Sequence, residues 1–163
     1  MKTKRQKELI ESFLSEIGDN LKPIYREIFE YLSSVGYNPH KQRSFIVFKH
    51  DLHNKQMAKT GIRKKQPFFD LRFSACRGFS KRFQDIVDAA LSKQTDQEAS
   101  CTVQRCDFCR GEPMTHVYIS EGKTRCGAAA LEIPNITAAE LAEIKKLIDE
   151  EHAYLLKHEA EIA

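Results

Sequence analysis

The chain lacks the long apolar runs and the short motifs that mark a membrane protein or a common enzyme. No hydrophobic stretch in its 163 residues approaches the roughly 20 residues that a membrane-spanning helix needs. There is no Gly-x-Ser-x-Gly, no His-Glu-x-x-His and no complete Gly-x-x-x-x-Gly-Lys-Ser/Thr phosphate loop. The sequence therefore predicts a cytoplasmic protein without membrane partners, and it does not indicate catalysis.

The cysteines are too few for a disulfide framework, and their number is odd. There are five cysteines, and the N-terminal segment does not show the apolar core of a secretory signal. We therefore expect thiols or metal ligands rather than disulfides. Four of the five fall within 26 residues, at Cys101, Cys106, Cys109 and Cys126, while Cys76 follows a predicted strand and is expected in the core.

The spacing of these four cysteines favours a metal site. Cys106 and Cys109 are separated by two residues and followed shortly by glycine, which turns both thiolates toward one point. Soft thiolates select zinc or iron over harder ions. A predicted hairpin, with strands at 115–120 and 123–133, would return Cys126 beside this pair.

Residues 101–131 thus resemble a zinc-ribbon or treble-clef knuckle. The predicted ligands of a structural Zn²⁺ are Cys101, Cys106, Cys109 and Cys126, with His116 and Cys76 as alternatives for the fourth position. Four thiolates close the coordination sphere, so such an ion would stabilise a small hairpin and would not activate water. A dithiol redox pair, an open zinc site and plain buried thiols are the competing interpretations.

Hydrophobic periodicity predicts an α+β fold. Helices are expected over 5–17, from 19 or 20 to 36, over 79–91 and over 137–162, where Thr137 and Glu140 form a capping box. Strands are expected at 43–50 and 67–75, with a turn at 37–39 and a long polar connection at 51–66. The predicted architecture is a small antiparallel sheet flanked by helices, with a zinc-knuckle hairpin joined to it or separate, and a long C-terminal helix.

The same patterns give a domain prediction. Residues 1–91 are predicted to form a core, and residues 92–100 form a linker without large apolar residues. Residues 101–163 hold the cysteine knuckle and a C-terminal helix that packs back on the core. The chain is then either one domain or two. The final helix is longer than a small core requires, and a homodimer through it is one prediction. His152 and His158 on this helix are expected to be solvated or partly packed.

Charge is strongly segregated along the chain, although the net charge is only +3. Residues 39–82 hold twelve Lys and Arg against two Asp, a net charge of +10, whereas residues 131–163 carry a net charge of −5 from three Lys, seven Glu and one Asp. A basic segment of this kind is typical of proteins that contact phosphate groups.

The first functional hypothesis is therefore a non-enzymatic, zinc-stabilised module that binds nucleic acid or acts in regulation. Phe45, Phe48, Phe68 and Phe69 interleave with the charges and would stack bases if exposed. The predicted phosphate-contacting residues are Arg43, Lys49, Lys55, Lys59, Arg63, Lys64, Lys65 and Arg72.

A second hypothesis is a sensing or adaptor domain for an anionic small molecule. In this interpretation the central strands and helices enclose a pocket lined by Phe and Tyr, with Arg72 and Arg77 as the anion-binding side chains and the zinc lobe as a lid or a partner-binding surface. A third is an enzyme acting at such a pocket. Separately, His50, Asp51 and His53 beside the basic segment would form an acid/base site or a hydrogen-bond set.

Overall fold

The computed structural model of the protein describes residues 1–94 and 117–162. In chain order, the elements are α1 (Lys4–Ser15), α2 (Lys22–Ser34), β1 (Tyr37–Gln42), β2 (Phe45–His50), β3 (Gln56–Arg63), β4 (Gln66–Leu71), α3 (Lys81–Ser92), β5 (Val117–Ser120), β6 (Lys123–Cys126), β7 (Leu131–Glu132) and α4 (Leu141–Ile162). The predicted α+β class is confirmed. Across these two ranges no helix has the length and apolar character that crossing a membrane requires.

The strands form two separate sheets. Five strands pair antiparallel in the order β1-β2-β3-β4-β7, and β5 pairs only with β6 within the described ranges. The hairpin of β5 and β6 packs against α3, so it does not extend the larger sheet. The sequence left open whether the predicted strands would join in one sheet. In the structure the predicted strand 123–133 is divided: β6 stays in the small hairpin with β5, and β7 pairs with β4 in the larger sheet.

Two sequence predictions about the sheet are wrong. The segment 51–66, predicted as a long connection, contains β3, which pairs with both β2 and β4. Residues 37–39, predicted as a turn, begin β1. Thr60 and Gly61 interrupt the hydrophobic alternation of β3, which weakens its sequence signal, and Pro39 is tolerated because β1 is an edge strand.

The helices cover one face of the five-stranded sheet. Phe48, Ala58 and Leu71 lie opposite one another on neighbouring strands and share that face. The Phe48 ring stacks on Phe29 of α2 at a centroid distance of 4.9 Å. Side chains from all four α-helices join these residues in one buried cluster.

The ends of the helices follow local rules. Thr137 and Glu140 form the predicted capping box, with a short 3₁₀ turn, Ala138–Glu140, leading into α4. A second capping box, between Thr3 and Gln6, begins α1. Pro23 lies in the first turn of α2, where its missing N–H costs little.

A buried ion pair fastens α4 to the residues that follow β4. Arg72, which is 2% exposed, donates from Nε to Oε1 of the fully buried Glu151 at 2.7 Å. Glu151 also accepts the backbone N–H of Ala75 at 2.7 Å and the Ser74 hydroxyl at 3.3 Å. Because Glu151 lies in the middle of α4, these bonds fix the rotation of the helix against the sheet and so the position of the next residue, His152.

Candidate functional site

Two hairpin turns bring three of the predicted phosphate-binding residues to the same end of the large sheet. Arg43 lies in the two-residue turn between β1 and β2, and Lys64 and Lys65 form the turn between β3 and β4. Since the strands run antiparallel in the order β1-β2-β3-β4, these turns are neighbours at one end. Arg43, Lys64 and Lys65 have φ of 55°, 51° and 63°, values at which Gly and Asn are the common residues.

Two phenylalanines lie beside these turns on the face opposite the helices. The Phe45 and Phe68 rings meet edge to face, 5.6 Å apart. Both lie over Gly61, where a Cβ atom would be 2.9 Å from the Phe68 ring and 3.1 Å from the Phe45 ring. Glycine at this position therefore gives the two rings room to lie against the strand.

Cations cover these two rings. The Lys59 ammonium lies 4.4 Å from the centre of Phe45, and the Arg63 guanidinium lies 4.4 Å from the centre of Phe68. Both are cation–π distances. We call Arg43, Lys59, Arg63, Lys64 and Lys65, together with the two rings, the basic end of the sheet.

Two carboxylates lie next to the basic end. Glu132 accepts from Arg63 at 3.3 Å in an exposed ion pair, and such pairs hold a side chain only weakly. Asp70 lies opposite both Lys59 and Glu132 in the strand register. Burial raises the pKa of Asp70 to about 6, although the charge of Lys59 acts in the opposite direction.

The remaining predicted phosphate contacts lie elsewhere. Lys49 is half-buried near the end of β2, and Lys55 belongs to the loop before β3, at the other end of the sheet. Arg72 is buried in its ion pair with Glu151. Its assignment as a phosphate contact is therefore wrong, because the guanidinium lies inside the protein.

A cluster of three histidines lies at the opposite end of the sheet. His50 ends β2, His53 lies in the loop before β3, and His152 belongs to α4. One side-chain nitrogen from each lies within 4.8 Å of the others. The His50 and His53 rings stack at 4.1 Å with an interplanar angle of 8°, and the His152 ring is 5.3 Å from His50.

Neighbouring groups hold these rings in place. The Tyr37 hydroxyl is 3.0 Å from Nδ1 of His152. Nδ1 of His53 accepts the Lys55 N–H at 3.2 Å, and Nδ1 of His50 accepts the Leu52 N–H at 3.3 Å. Three imidazoles at this separation are the donor set that zinc, copper or nickel takes in proteins.

Burial and mutual charge repulsion both favour neutral imidazoles in this cluster. Burial lowers the pKa of His50 and of His152, and the charge of His50 lowers the pKa of His152 further. Neutral imidazole is the form that binds metal ions.

A side chain at Gly36 would meet the His50 ring at 2.7 Å, so glycine in the turn before β1 leaves space for this ring.

Sequence reasoning found only part of this cluster. His50 and His53 were considered with Asp51 as an acid/base set, but the structure engages Asp51 with Lys2 and Asn38. His152 was predicted to be solvated or partly packed; it is half-buried and lies 99 positions after His53. The one local signal was the His-x-x-His spacing at 50 and 53, and it does not reveal the third histidine.

The predicted zinc ligands lie mostly outside the described residues. Cys101, Cys106, Cys109 and the alternative ligand His116 belong to 95–116, and Cys126 is half-buried at the end of β6. The other alternative, Cys76, is 1% exposed and donates to the Leu147 carbonyl at 3.2 Å, as expected for a core residue. Burial raises the pKa of its thiol well above the ordinary value.

An aromatic cavity lies between the β5–β6 hairpin and α3. Its volume is about 440 Å³, and its lining among the described residues includes Phe73, Phe79, Tyr118 and Arg77. The Arg77 guanidinium donates to the carbonyls of Ser74 and Cys76, both at 2.9 Å. The cavity therefore joins apolar walls with a cation, as the second sequence hypothesis requires.

Comparison with known proteins adds no further assignment: no protein-family model, no curated protein and no solved structure matches the chain.

Proposed function

We propose that the protein binds single-stranded nucleic acid through the basic end of the sheet. The observation that carries this proposal is the meeting of two hairpin turns that present Arg43, Lys64 and Lys65 side by side. Backbone strain supports it, because non-glycine residues in left-handed conformations cost free energy and concentrate at functional sites.

The Phe45 ring supplies the second part of a single-strand site, since Phe68 is only 4% exposed and cannot take a base. Phe45 is half-buried and its ring contacts the Lys59 ammonium. A base that stacked on Phe45 would replace this cation–π contact, while Lys59 would remain within reach of the adjacent phosphate. Aromatic stacking combined with cations along the backbone is the usual way in which proteins bind single strands without sequence preference.

A salt titration with a fluorescent single-stranded oligonucleotide tests this proposal. Each phosphate contact on a single strand contributes about −0.7 to the slope of log K against log salt, so five cations predict a slope near −3.5. Lys64→Gln/Lys65→Gln should flatten the slope by about 1.4. The matched control is Lys145→Gln/Lys146→Gln, which removes two consecutive lysines from α4 and should leave the slope unchanged.

The proposal fails if the wild-type protein does not bind at low salt. It also fails if both double variants reduce the slope equally, since the loss would then follow net charge rather than the basic end.

We also propose the structural Zn²⁺ site of Cys101, Cys106, Cys109 and Cys126. The described part of this site is Cys126, which lies on a four-residue strand of a two-stranded hairpin that packs against α3. Such a hairpin is marginally stable alone. Elemental analysis should find that Cys106→Ser loses one equivalent of zinc, and an unchanged metal content in this variant would remove the site.

The cavity between the hairpin and α3 favours a second candidate function, the binding of an anionic aromatic molecule. Arg77 lies among its aromatic walls. Anilinonaphthalene sulfonate is a suitable probe, and Phe79→Ala should weaken its binding while leaving oligonucleotide affinity intact. Equal probe binding by the parent and the variant, with both proteins fully folded, would exclude the cavity as the site.

A further inference from the structure

We infer that His50, His53 and His152 form a binding site for one divalent transition-metal ion such as Zn²⁺. This inference is independent of the proposed nucleic-acid site, since the cluster lies at the other end of the sheet. It is also distinct from the proposed cysteine site, because its ligand atoms are nitrogens alone.

The separation of the histidine nitrogens fits one shared ion after a small movement. They lie within 4.8 Å of one another. Zn–N bonds of about 2.0–2.1 Å in tetrahedral geometry require nitrogen–nitrogen separations of about 3.4 Å. Binding would therefore draw the rings together by up to about 1.4 Å, a shift within reach of side chains on a loop and a helix.

The helix ligand is positioned by two independent contacts. The Tyr37 hydroxyl lies beside Nδ1 of His152, so Nε2 is the atom left to bind a metal ion. Support of the second ring nitrogen by an outer group is the usual arrangement of metal-bound histidine. The preceding residue, Glu151, is fixed by Arg72, Ser74 and the Ala75 backbone, which holds the helix at this point.

The donor set defines the class of ion. Imidazole ligands suit Zn²⁺, Cu²⁺, Ni²⁺ and Co²⁺, whereas Mg²⁺ and Ca²⁺ prefer oxygen. Three protein ligands leave a coordination position for water or another small ligand. The site is therefore of the open kind, unlike the closed four-thiolate site proposed for the cysteines.

Metal binding should leave a local signature in the β2–β3 loop. Nδ1 of His50 and of His53 each accept a backbone N–H, from Leu52 and Lys55. If the ion binds Nδ1, that atom can no longer accept the N–H. If the ion binds Nε2, the ring proton lies on Nδ1, which again cannot accept it. The amide resonances of Leu52 and Lys55 should therefore shift when the ion binds.

The test uses Co²⁺ and the full-length, untagged protein after removal of bound metal. Thiolate-bound Co²⁺ gives an intense charge-transfer band in the near ultraviolet, whereas Co²⁺ bound by imidazole gives ligand-field bands without it. In Cys106→Ser, we expect ligand-field bands, a shift of the Leu52 and Lys55 amides, and a raised melting temperature with Co²⁺ or Zn²⁺.

Substitutions distinguish the proposed metal ligands from the residue that positions one of them. His53→Ala or His152→Ala in the Cys106→Ser background should lose more affinity than the roughly 10- to 100-fold that loss of an outer-shell group costs, and Tyr37→Phe should fall within that range. The matched control, His40→Ala, removes an exposed histidine of β1 that is outside the cluster. It should retain full affinity.

Metal content gives a second readout that does not depend on spectra. The parent should hold one more equivalent of zinc than His152→Ala, and this difference should persist when Cys106→Ser is present in both. The inference is overturned if folded His53→Ala and His152→Ala bind the ion as tightly as the parent, or if His40→Ala loses as much affinity as they do.

Discussion

The Phe45 and Phe68 rings, on the face of the sheet opposite the helices, lie against Gly61, which carries no side chain. A Cβ atom at residue 61 would approach Phe68 to 2.9 Å and Phe45 to 3.1 Å. We therefore predict that Gly61→Ala destabilises the protein by about 1–3 kcal/mol, because a ring must leave its position. Urea unfolding measures the change.

A double variant identifies the cause of that loss. Phe45→Ala removes one of the two clashing rings, so adding Gly61→Ala to it should cost less than in the parent. An equal cost in both backgrounds would show that the Phe45 ring is not the cause and would leave the closer Phe68 ring or the strand itself.

Asp70 makes stability depend on pH. Its folded pKa of about 6 lies above the ordinary aspartate value of 3.8, so the ionised form is disfavoured in the folded state. Above pH 6 this burial costs stability, and the cost is relieved as pH falls from 6 to 4, where only the folded state takes up the proton.

Asp70→Asn removes this titration. It should raise the free energy of unfolding by about 1–3 kcal/mol at pH 8, and the gain should shrink toward pH 4. Asp85→Asn, at an exposed aspartate of α3, is the control and should change stability little at either pH. A gain for Asp70→Asn that is the same at both pH values would contradict the raised pKa.

At the scale of elements, the β3–β4 turn combines unfavourable conformation with useful charge. Lys64 and Lys65 both have positive φ, and Asn-Gly is the preferred pair in such turns. Lys64→Asn/Lys65→Gly should therefore stabilise the protein by about 1–2 kcal/mol while weakening oligonucleotide binding. Thermal unfolding and a binding titration on the same variant measure both effects. A variant with unchanged stability and unchanged affinity would argue against a functional turn.

The attachment of α4 to the sheet depends on a pair of buried charges. Breaking the Arg72–Glu151 pair by Arg72→Met should cost about 3–5 kcal/mol, since Glu151 would remain buried without its main partner. Arg72→Met/Glu151→Leu should recover most of this loss. The exposed pair Arg26–Glu11 is the control, and Arg26→Met should cost less than about 1 kcal/mol. Chemical unfolding of the three variants measures these changes in the free energy of unfolding, and equal losses for Arg72→Met and Arg26→Met would contradict the account.

Local rules account for the elements that the sequence predicted well. Helix periodicity and the Thr137–Glu140 capping box are short-range signals, and the structure confirms both. Strand β3 was missed because its apolar residues do not alternate cleanly around Thr60 and Gly61. Pairing with β2 and β4 stabilises it, and such pairing cannot be detected within one segment.

The candidate sites show the same division between local and long-range information. The basic segment was visible from charge alone, although charge could not separate the exposed Lys64 from the buried Arg72. The histidine cluster depends on α4 returning beside the β2–β3 loop. No pattern within either segment contains that information.

At the scale of the whole molecule, two candidate sites of different chemistry lie at opposite ends of the large sheet. One end carries cations and aromatic rings, and the other carries three imidazoles beside α4. The predicted homodimer through α4 remains a prediction, to which Leu156 contributes an apolar side chain that is 42% exposed. Light scattering at several concentrations would measure the oligomeric state directly.

The central claim is that nucleic acid binds at the basic end, and an amide chemical-shift titration with a short single-stranded oligonucleotide tests it most directly. We predict that the largest shifts fall in the two turns, at Arg43, Ser44, Lys64 and Lys65, and around Phe45. Shifts that are confined to the cavity around Phe73 and Tyr118, or the absence of any shift at low salt, would contradict it.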